Sequence, residues 1–200
     1  MKNNGQNSFE RTTEIGAGKL SFVFQYLFKP RTVGAVMPSS KYLAEKMVAG
    51  IDFDNARCIV EYGPGTGPFT EEILKRRNKE TTVILLEYND TFCKLLQEKY
   101  HNEENLHIIN STAETIGAQL EKFGFAYVDY IVSGLPFASL PAAVSQNILK
   151  QTRRYLKNDG YFITFQYTLM KKGLIGQFFK NIEIEKEIRN LPPAYVLRCQ

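Results

Sequence analysis

From Arg57 onward the chain alternates short β-rich runs with helical ones, and this alternation constrains its fold more than any other feature. Cys58–Tyr62 reads as a strand, followed by a glycine turn and a helix opening at Pro68, a residue suited to a first helical position. Residues 82–88 are almost continuously apolar, as in the buried middle of a parallel sheet. A helix is predicted over 90–100, with Phe92, Leu95, Leu96 and Tyr100 on one face. Then come a strand at 106–110, a weaker helix at 113–123 and a strand at 127–133. A long helix at 141–157 is read as stopped by Asn158-Asp159-Gly160, followed by a strand at 161–168 and a helix at 173–180. Two last strands flank Leu191-Pro192-Pro193. Strands separated by helices of this length mean βαβ units, an α/β fold with a doubly wound parallel sheet. Ligands of such sheets bind at the carboxyl ends of the strands.

The first fifty residues follow a different pattern. Residues 1–17 are polar and are expected to be mobile. Leu20, Val23, Phe24, Leu27 and Phe28 then form one apolar stripe of a helix that Pro30 ends. Ser39 or Ser40 is placed to cap a second helix over 41–48. The chain therefore reads as an N-terminal segment with helices, 1–50, and a main domain, 51–200. The longest apolar run, 20–28, is far short of the ~20 residues a spanning helix needs. Lys29-Pro30-Arg31 follows it with no small-residue cleavage site, so it does not read as a signal peptide.

Composition narrows the function. With 44% hydrophobic and 23% charged residues the chain is that of a globular protein. Three cysteines without paired spacing (Cys58, Cys93, Cys199) read as reduced thiols of a cytoplasmic protein. Two histidines, His101 and His107, are too few for a His-rich metal site, and no metal is expected. The net charge of +4 is unevenly placed: residues 1–46 hold seven basic and three acidic side chains, while the rest balances at 18 of each. That asymmetry points the N-terminal part toward an anionic partner, a membrane surface or a nucleic acid.

The motifs fall where strands end. Glu61-Tyr62-Gly63-Pro64-Gly65-Thr66-Gly67 lies between a strand and a helix, where glycines permit a tight turn close to a ligand. It matches neither G-x-G-x-x-G nor the phosphate loop with its lysine, and suits an uncharged or cationic ligand beside the acid Glu61. Glu87 ends the next strand, 24 residues after Gly63, where a carboxylate can accept both hydroxyls of a ribose.

With these residues the chain resembles the class I S-adenosylmethionine-dependent methyltransferases over about residues 55–170, which implies a Rossmann-like sheet, to which the apolar stripe at 20–28 adds an N-terminal amphipathic helical extension. EYGPGTG is similar to their first motif, and Glu87-Tyr88 to their ribose-binding acid and adenine-packing residue. The resemblance puts Glu61, Gly63, Gly65, Thr66, Gly67, Glu87, Tyr88, Thr112, Ala113 and Ser133 around S-adenosylmethionine. Thr112 stands where the family usually has an acid. Ser133-Gly134-Leu135-Pro136-Phe137 resembles the Asn-Leu-Pro-Tyr motif of the rRNA adenine dimethyltransferases, with Gly134 in the place of the polar acceptor and Phe137 in that of the stacking ring. Residues 31–40, SGLPF and Asn190-Leu191-Pro192-Pro193-Ala194 together are similar to bacterial phospholipid N-methyltransferases.

That resemblance implies methylation of the amine of phosphatidylethanolamine, with Gly134, Pro136 and Phe137 near the substrate. The apolar stripe with Lys19, Phe24, Leu27, Phe28, Lys29 and Arg31 then contacts an anionic membrane, at its inner face. A lid over the cofactor is the alternative role for this helix. An alkyl amine with a pKa near ~10 must lose a proton before it attacks. Tyr167, the backbone around Leu135, and Tyr26 are the candidate proton acceptors. An rRNA adenine N6-methyltransferase, a small-molecule methyltransferase and a cofactor-binding lipid-surface protein with little activity remain alternatives. RNA is therefore a second possible partner.

Overall fold

The structure, a computed structural model, describes residues 40–200. The expectations for Lys19, Phe24, Tyr26, Leu27, Phe28, Lys29 and Arg31 lie outside these residues. The described residues belong to one compact unit. Seven strands form a single sheet: β1 (Cys58–Tyr62), β2 (Thr82–Glu87), β3 (Leu106–Asn110), β4 (Val128–Ser133), β5 (Leu156–Gln166), β6 (Ile182–Glu187) and β7 (Ala194–Cys199). Their order across the sheet is β3-β2-β1-β4-β5-β7-β6. The first five run parallel, and β7 is antiparallel to both β5 and β6. The parallel sheet expected from sequence is thus a mixed one. A short hairpin from β6 to β7 can only reverse the chain, and it imposes the antiparallel pair.

β1 is an interior strand and wholly buried, apolar but for Glu61. Helices α1 (Lys41–Val48), α2 (Pro68–Arg76), α3 (Asp90–Lys99), α4 (Ile116–Lys122) and α5 (Ala142–Tyr155) accompany the sheet, and α6 (Lys172–Ile175) is a single turn. The Ser40 hydroxyl caps α1 by accepting from the Leu43 N–H at 3.2 Å. Sequence reading set this helix with the N-terminal segment. Its apolar face, Leu43, Ala44, Met47 and Val48, packs into the same core as Ile59, Phe69, Ile73, Val132, Ile163 and Val196.

Two boundaries differ from expectation. Helix α5 ends at Tyr155, and Leu156 is already extended as the first residue of β5. The Asn158-Asp159-Gly160 run therefore sits inside a strand, where the register with β4 shifts. Gly160 is needed there because a Cβ would stand 2.5 Å from the Asp129 carbonyl oxygen. Lys157 pairs with the Asp129 carboxylate at the same bulge. The helix expected over 173–180 shrinks to Lys172–Ile175. Beyond it Phe179 is drawn inward to stack on Phe162, with centroids 5.5 Å apart.

Leu43 is fully buried at the centre of the α1 face. Leu43→Ala is expected to remove about 2–5 kcal/mol of stability, read as a lower urea midpoint at unchanged slope.

Candidate active site

The glycine turn is built from three residues with positive φ: Gly63 at 60°, Gly65 at 58° and Gly67 at 84°. Such angles strain any residue with a Cβ. The Gly63 N–H donates to the Leu86 carbonyl at 2.9 Å, fastening the turn to the end of β2. The Gly67 N–H donates to the Pro64 carbonyl, also at 2.9 Å, and closes the loop just before Pro68 starts α2. Thr66 is exposed at the tip of this turn.

Two carboxyl groups lie beneath it. Glu61 is fully buried, and its Oε2 accepts from the Thr70 hydroxyl at 2.7 Å. Its Oε1 is buried with no hydrogen-bond partner. Burial pushes the Glu61 carboxyl up to about 8, with Glu87 adding a smaller push and Thr70 opposing it. Glu87 is also buried, and its pKa is raised by desolvation. Its Oε2 accepts from the Gly65 N–H at 3.0 Å and its Oε1 from the Asn89 N–H at 2.8 Å. The second carboxylate thus holds the glycine turn and the start of α3 together.

The end of β4 meets the turn from the other side. The Gly134 N–H donates to the Tyr62 carbonyl at 2.8 Å. A Cβ on Gly134 would lie 2.6 Å from the Gly63 carbonyl oxygen, and a Cβ on Gly63 would lie 2.8 Å from Leu135 Cδ2. The two loops interlock, and backbone fills the space where a side chain at 134 would begin. Ser133 is buried, with its hydroxyl accepting from the Leu135 N–H at 3.2 Å. The Leu135 carbonyl accepts from the Phe137 N–H at 3.0 Å. Pro136 is half-buried.

Phe137 corrects the expectation of a stacking ring. It is 0% exposed and lies edge-on to Phe162, with centroids 6.1 Å apart. Phe162 supplies apolar area that the ring gains by turning inward, and none of its surface is exposed for a base to stack on.

The remaining sequence candidates sit on the same carboxyl edge. Thr112 is half-buried, and its carbonyl accepts from the Thr115 N–H at 3.1 Å, starting a 3-10 turn that opens at buried Ala113. Tyr88 is half-buried at the end of β2. Tyr167, just past the end of β5, is 47% exposed, with its ring edge-on to Phe165 at 5.5 Å. Burial raises its pKa, and the Asn190 side chain opposes the rise.

Sequence reasoning did not assign the supporting contacts of three residues, of which Asn190 had entered only as part of a motif. Thr70 satisfies half of Glu61. Asn110 Nδ2 donates to the carbonyls of Glu87 and Tyr88 at 3.2 and 3.0 Å and fixes the end of β2. Asn190 Oδ1 accepts from the Ser40 N–H at 3.0 Å, tying α1 to the β6–β7 hairpin. For Asn89, the Tyr-Asn-Asp run was a legible helix-start signal: its side chain caps α3.

Glu61 carries a pH signature. Its folded pKa of about 8 lies above the unfolded value near 4.5, so the folded state holds the extra proton between them. The stability this gives is full below about 4.5 and is lost as pH rises through 8. In cofactor-free protein, Glu61→Gln is expected to flatten the fall of the urea midpoint across that window. Parallel curves for variant and wild type would show that Glu61 ionises normally.

Comparison with known proteins agrees with this geometry. The family described as ribosomal RNA adenine dimethylase matches residues 38–174. An ornithine lipid N-methyltransferase of Singulisphaera acidiphila is 30% identical over 90% of this chain and 94% of its own. An rRNA adenine N-6-methyltransferase of Lysinibacillus sphaericus is 32% identical over 56% of this chain, which spans only 41% of that relative. Among solved structures, a T. thermophilus 16S rRNA N2 G1207 methyltransferase in complex with AdoMet and guanosine superposes with a TM-score of 0.63. It is 20% identical and covers 84% of this chain and 44% of its own, a likeness of fold. S-adenosylmethionine is the cofactor, and the residues fit it. The unpartnered Glu61 oxygen suits a cationic group, Glu87 a ribose, and the glycine turn a close backbone approach. The chain belongs to the ribosomal RNA adenine dimethylase family of class I S-adenosylmethionine-dependent methyltransferases.

Proposed function

We propose that this N-methyltransferase acts on the primary alkyl amine of a membrane lipid headgroup, phosphatidylethanolamine first. The observation that carries the reading is Gly134, whose missing side chain cannot be added without displacing the Gly63 carbonyl. An aryl amine such as that of adenine is poorly nucleophilic and is helped by a side-chain acceptor at this position. An alkyl amine needs only to lose its proton. The buried Phe137 supports the same reading, because no ring is offered for base stacking. So does the lipid-modifying relative, which aligns over nearly the whole of both chains.

S-adenosylmethionine supplies an activated methyl group on a sulfonium, a good leaving group that needs no acid. The protein's tasks are to bind it, to neutralise the amine and to hold nitrogen in line with the methyl. Glu61, Gly63, Gly65, Thr66, Gly67, Glu87, Tyr88, Thr112, Ala113 and Ser133 form the cofactor side, and Gly134 and Pro136 border the acceptor. An amine with a pKa near ~10 carries its proton at pH 7, a handicap of about 4 kcal/mol. A site walled by Leu135 lowers that pKa by excluding water. Tyr167, half-exposed at the end of β5, accepts the amine's hydrogen bond and passes the proton toward solvent. The Leu135 carbonyl has one lone pair left beside its bond to Phe137, and Tyr26 is the third candidate. The basic and apolar residues Lys19, Phe24, Leu27, Phe28, Lys29 and Arg31 contact the anionic surface on which the lipid lies.

The family's description favours one rival, an rRNA adenine, and a single assay separates the two. Labelled S-adenosylmethionine is given with vesicles of phosphatidylethanolamine and phosphatidylglycerol, bare small-subunit rRNA in the same tube, and ornithine lipid vesicles in a parallel one. Label is expected in the organic phase, and the parallel tubes tell which headgroup accepts. Label on the RNA alone would sink the lipid reading.

Tyr167→Phe is expected to lower kcat about a hundredfold, with KM changed far less. Unchanged turnover would take Tyr167 out of the mechanism.

A further inference from the structure

The described residues expose few large apolar side chains, and most of these gather at one place. Met170 is 84% exposed, Leu191 81% and Ile188 70%, with Leu169 and Tyr42 also exposed. They come from three segments: the loop after β5, the β6–β7 hairpin and the first turn of α1. Three contacts bring those segments together. The Ser40 N–H donates to Asn190 in the hairpin, the Arg189 guanidinium lies 4.2 Å from the centre of the Tyr42 ring, and Tyr167 faces Asn190. Monomeric soluble proteins seldom present such clustered apolar side chains without a partner.

The location is as informative as the chemistry. β4 and β5 are parallel neighbours paired at Ser133 and Thr164, so the loop after Gln166 emerges beside the Gly134-Leu135 loop. β7 starts opposite Gln166, which puts the hairpin at the same edge. The apolar side chains therefore rim the face on which the strands that form the methyl-transfer site end.

Charge decides what covers it. Residues 167–180 contain three lysines and no acid, and residues 188–200 two arginines and no acid. The nearby acids are already engaged: Glu187 with Arg189 and Lys46, Glu185 with Arg198 and Lys46, and Glu45 with Lys41. Lys171 and Lys172 have no acidic partner among the described residues. Apolar tips interleaved with uncompensated cations match the interface of an anionic bilayer, where apolar groups enter the acyl boundary and lysines stay at headgroup level.

We infer that the loop 167–172 and the hairpin 188–193, with Tyr42, form a docking face for an anionic phospholipid surface. The face sets the carboxyl edge of the sheet against the bilayer, so a headgroup amine reaches the site while its acyl chains stay in the membrane. This rests on the lipid reading above for its purpose, and on the exposed residues for its existence.

The test is flotation of the full chain with vesicles of one part phosphatidylglycerol to two parts phosphatidylcholine, and with phosphatidylcholine alone. Met170→Ser/Ile188→Ser/Leu191→Ser is expected to lower partition onto the mixed vesicles at least tenfold. Its melting temperature and S-adenosylmethionine affinity should match wild type, because all three side chains face solvent. Lys171→Glu/Lys172→Glu is expected to lower partition onto the mixed vesicles only, and it carries the test should the triple variant fold poorly. Wild-type partition in both variants overturns the proposal. So does a triple variant that dissociates a dimer while vesicle binding persists, since the face is then a contact between two copies. RNA labelling in the transfer assay, with partition lost in these variants, sinks the acceptor reading and leaves the face standing. Lipid methylation with partition retained does the reverse.

Discussion

The site depends on one backbone contact between two loops that end adjacent strands. Gly134 donates to the Tyr62 carbonyl, and its α-carbon sits so near the Gly63 carbonyl that no Cβ fits between. Strand pairing alone aligns β1 with β4 through Tyr62 and Ser133 and then releases both chains. The glycine pair carries the alignment one residue further. Leu135 is thereby set over the turn, with its side chain against Gly63. The cofactor turn and the acceptor loop are in this way one object, and a change in either moves the other.

Electrostatics adds a second constraint. Two carboxyl groups lie buried side by side beneath the turn, and each is handled differently. Glu87 accepts from backbone N–H groups that include those of Gly65 and Asn89, and so anchors the glycine turn and the start of α3. Glu61 has a single hydroxyl donor and one bare oxygen, and burial raises its pKa to about 8. Leaving a buried acceptor unpaired costs about 1–3 kcal/mol. A cationic ligand that meets this oxygen removes the penalty and draws off the extra proton. The site is built to be completed by its cofactor.

The order of strands and helices was legible because apolar runs and helical stripes mark themselves locally. The glycine turn and both acids were legible for the same reason: each sits at the end of a strand whose limits the pattern shows. What sequence did not show is set by contacts between distant residues. Asn158-Asp159-Gly160 has the composition of a helix stop, yet Gly160 is there for the Asp129 carbonyl across the sheet. Phe137 has the local setting of a stacking ring, yet it is buried in the core edge-on to Phe162. Asn190 entered the sequence reading only as part of a motif, and only the folded chain brings it to Ser40, 150 positions away.

A single fold can serve aryl and alkyl amines because the two present opposite problems. The nitrogen of an aryl amine is neutral but shares its lone pair with the ring, so a side-chain acceptor must pull on its hydrogens. The nitrogen of an alkyl amine has a free lone pair only once it loses a proton, so it asks for a dry wall and an exit for that proton. Replacing the acceptor at 134 by glycine lets the cofactor turn close against the β4 loop and leaves Leu135 as the wall. Tyr167, half-exposed just past the end of β5, is the group that the proposed mechanism uses to take the amine's proton. Under the proposed lipid reading, Gly134 suits a substrate that does not need a side-chain acceptor, and the β4 loop is shaped for the second of these two problems.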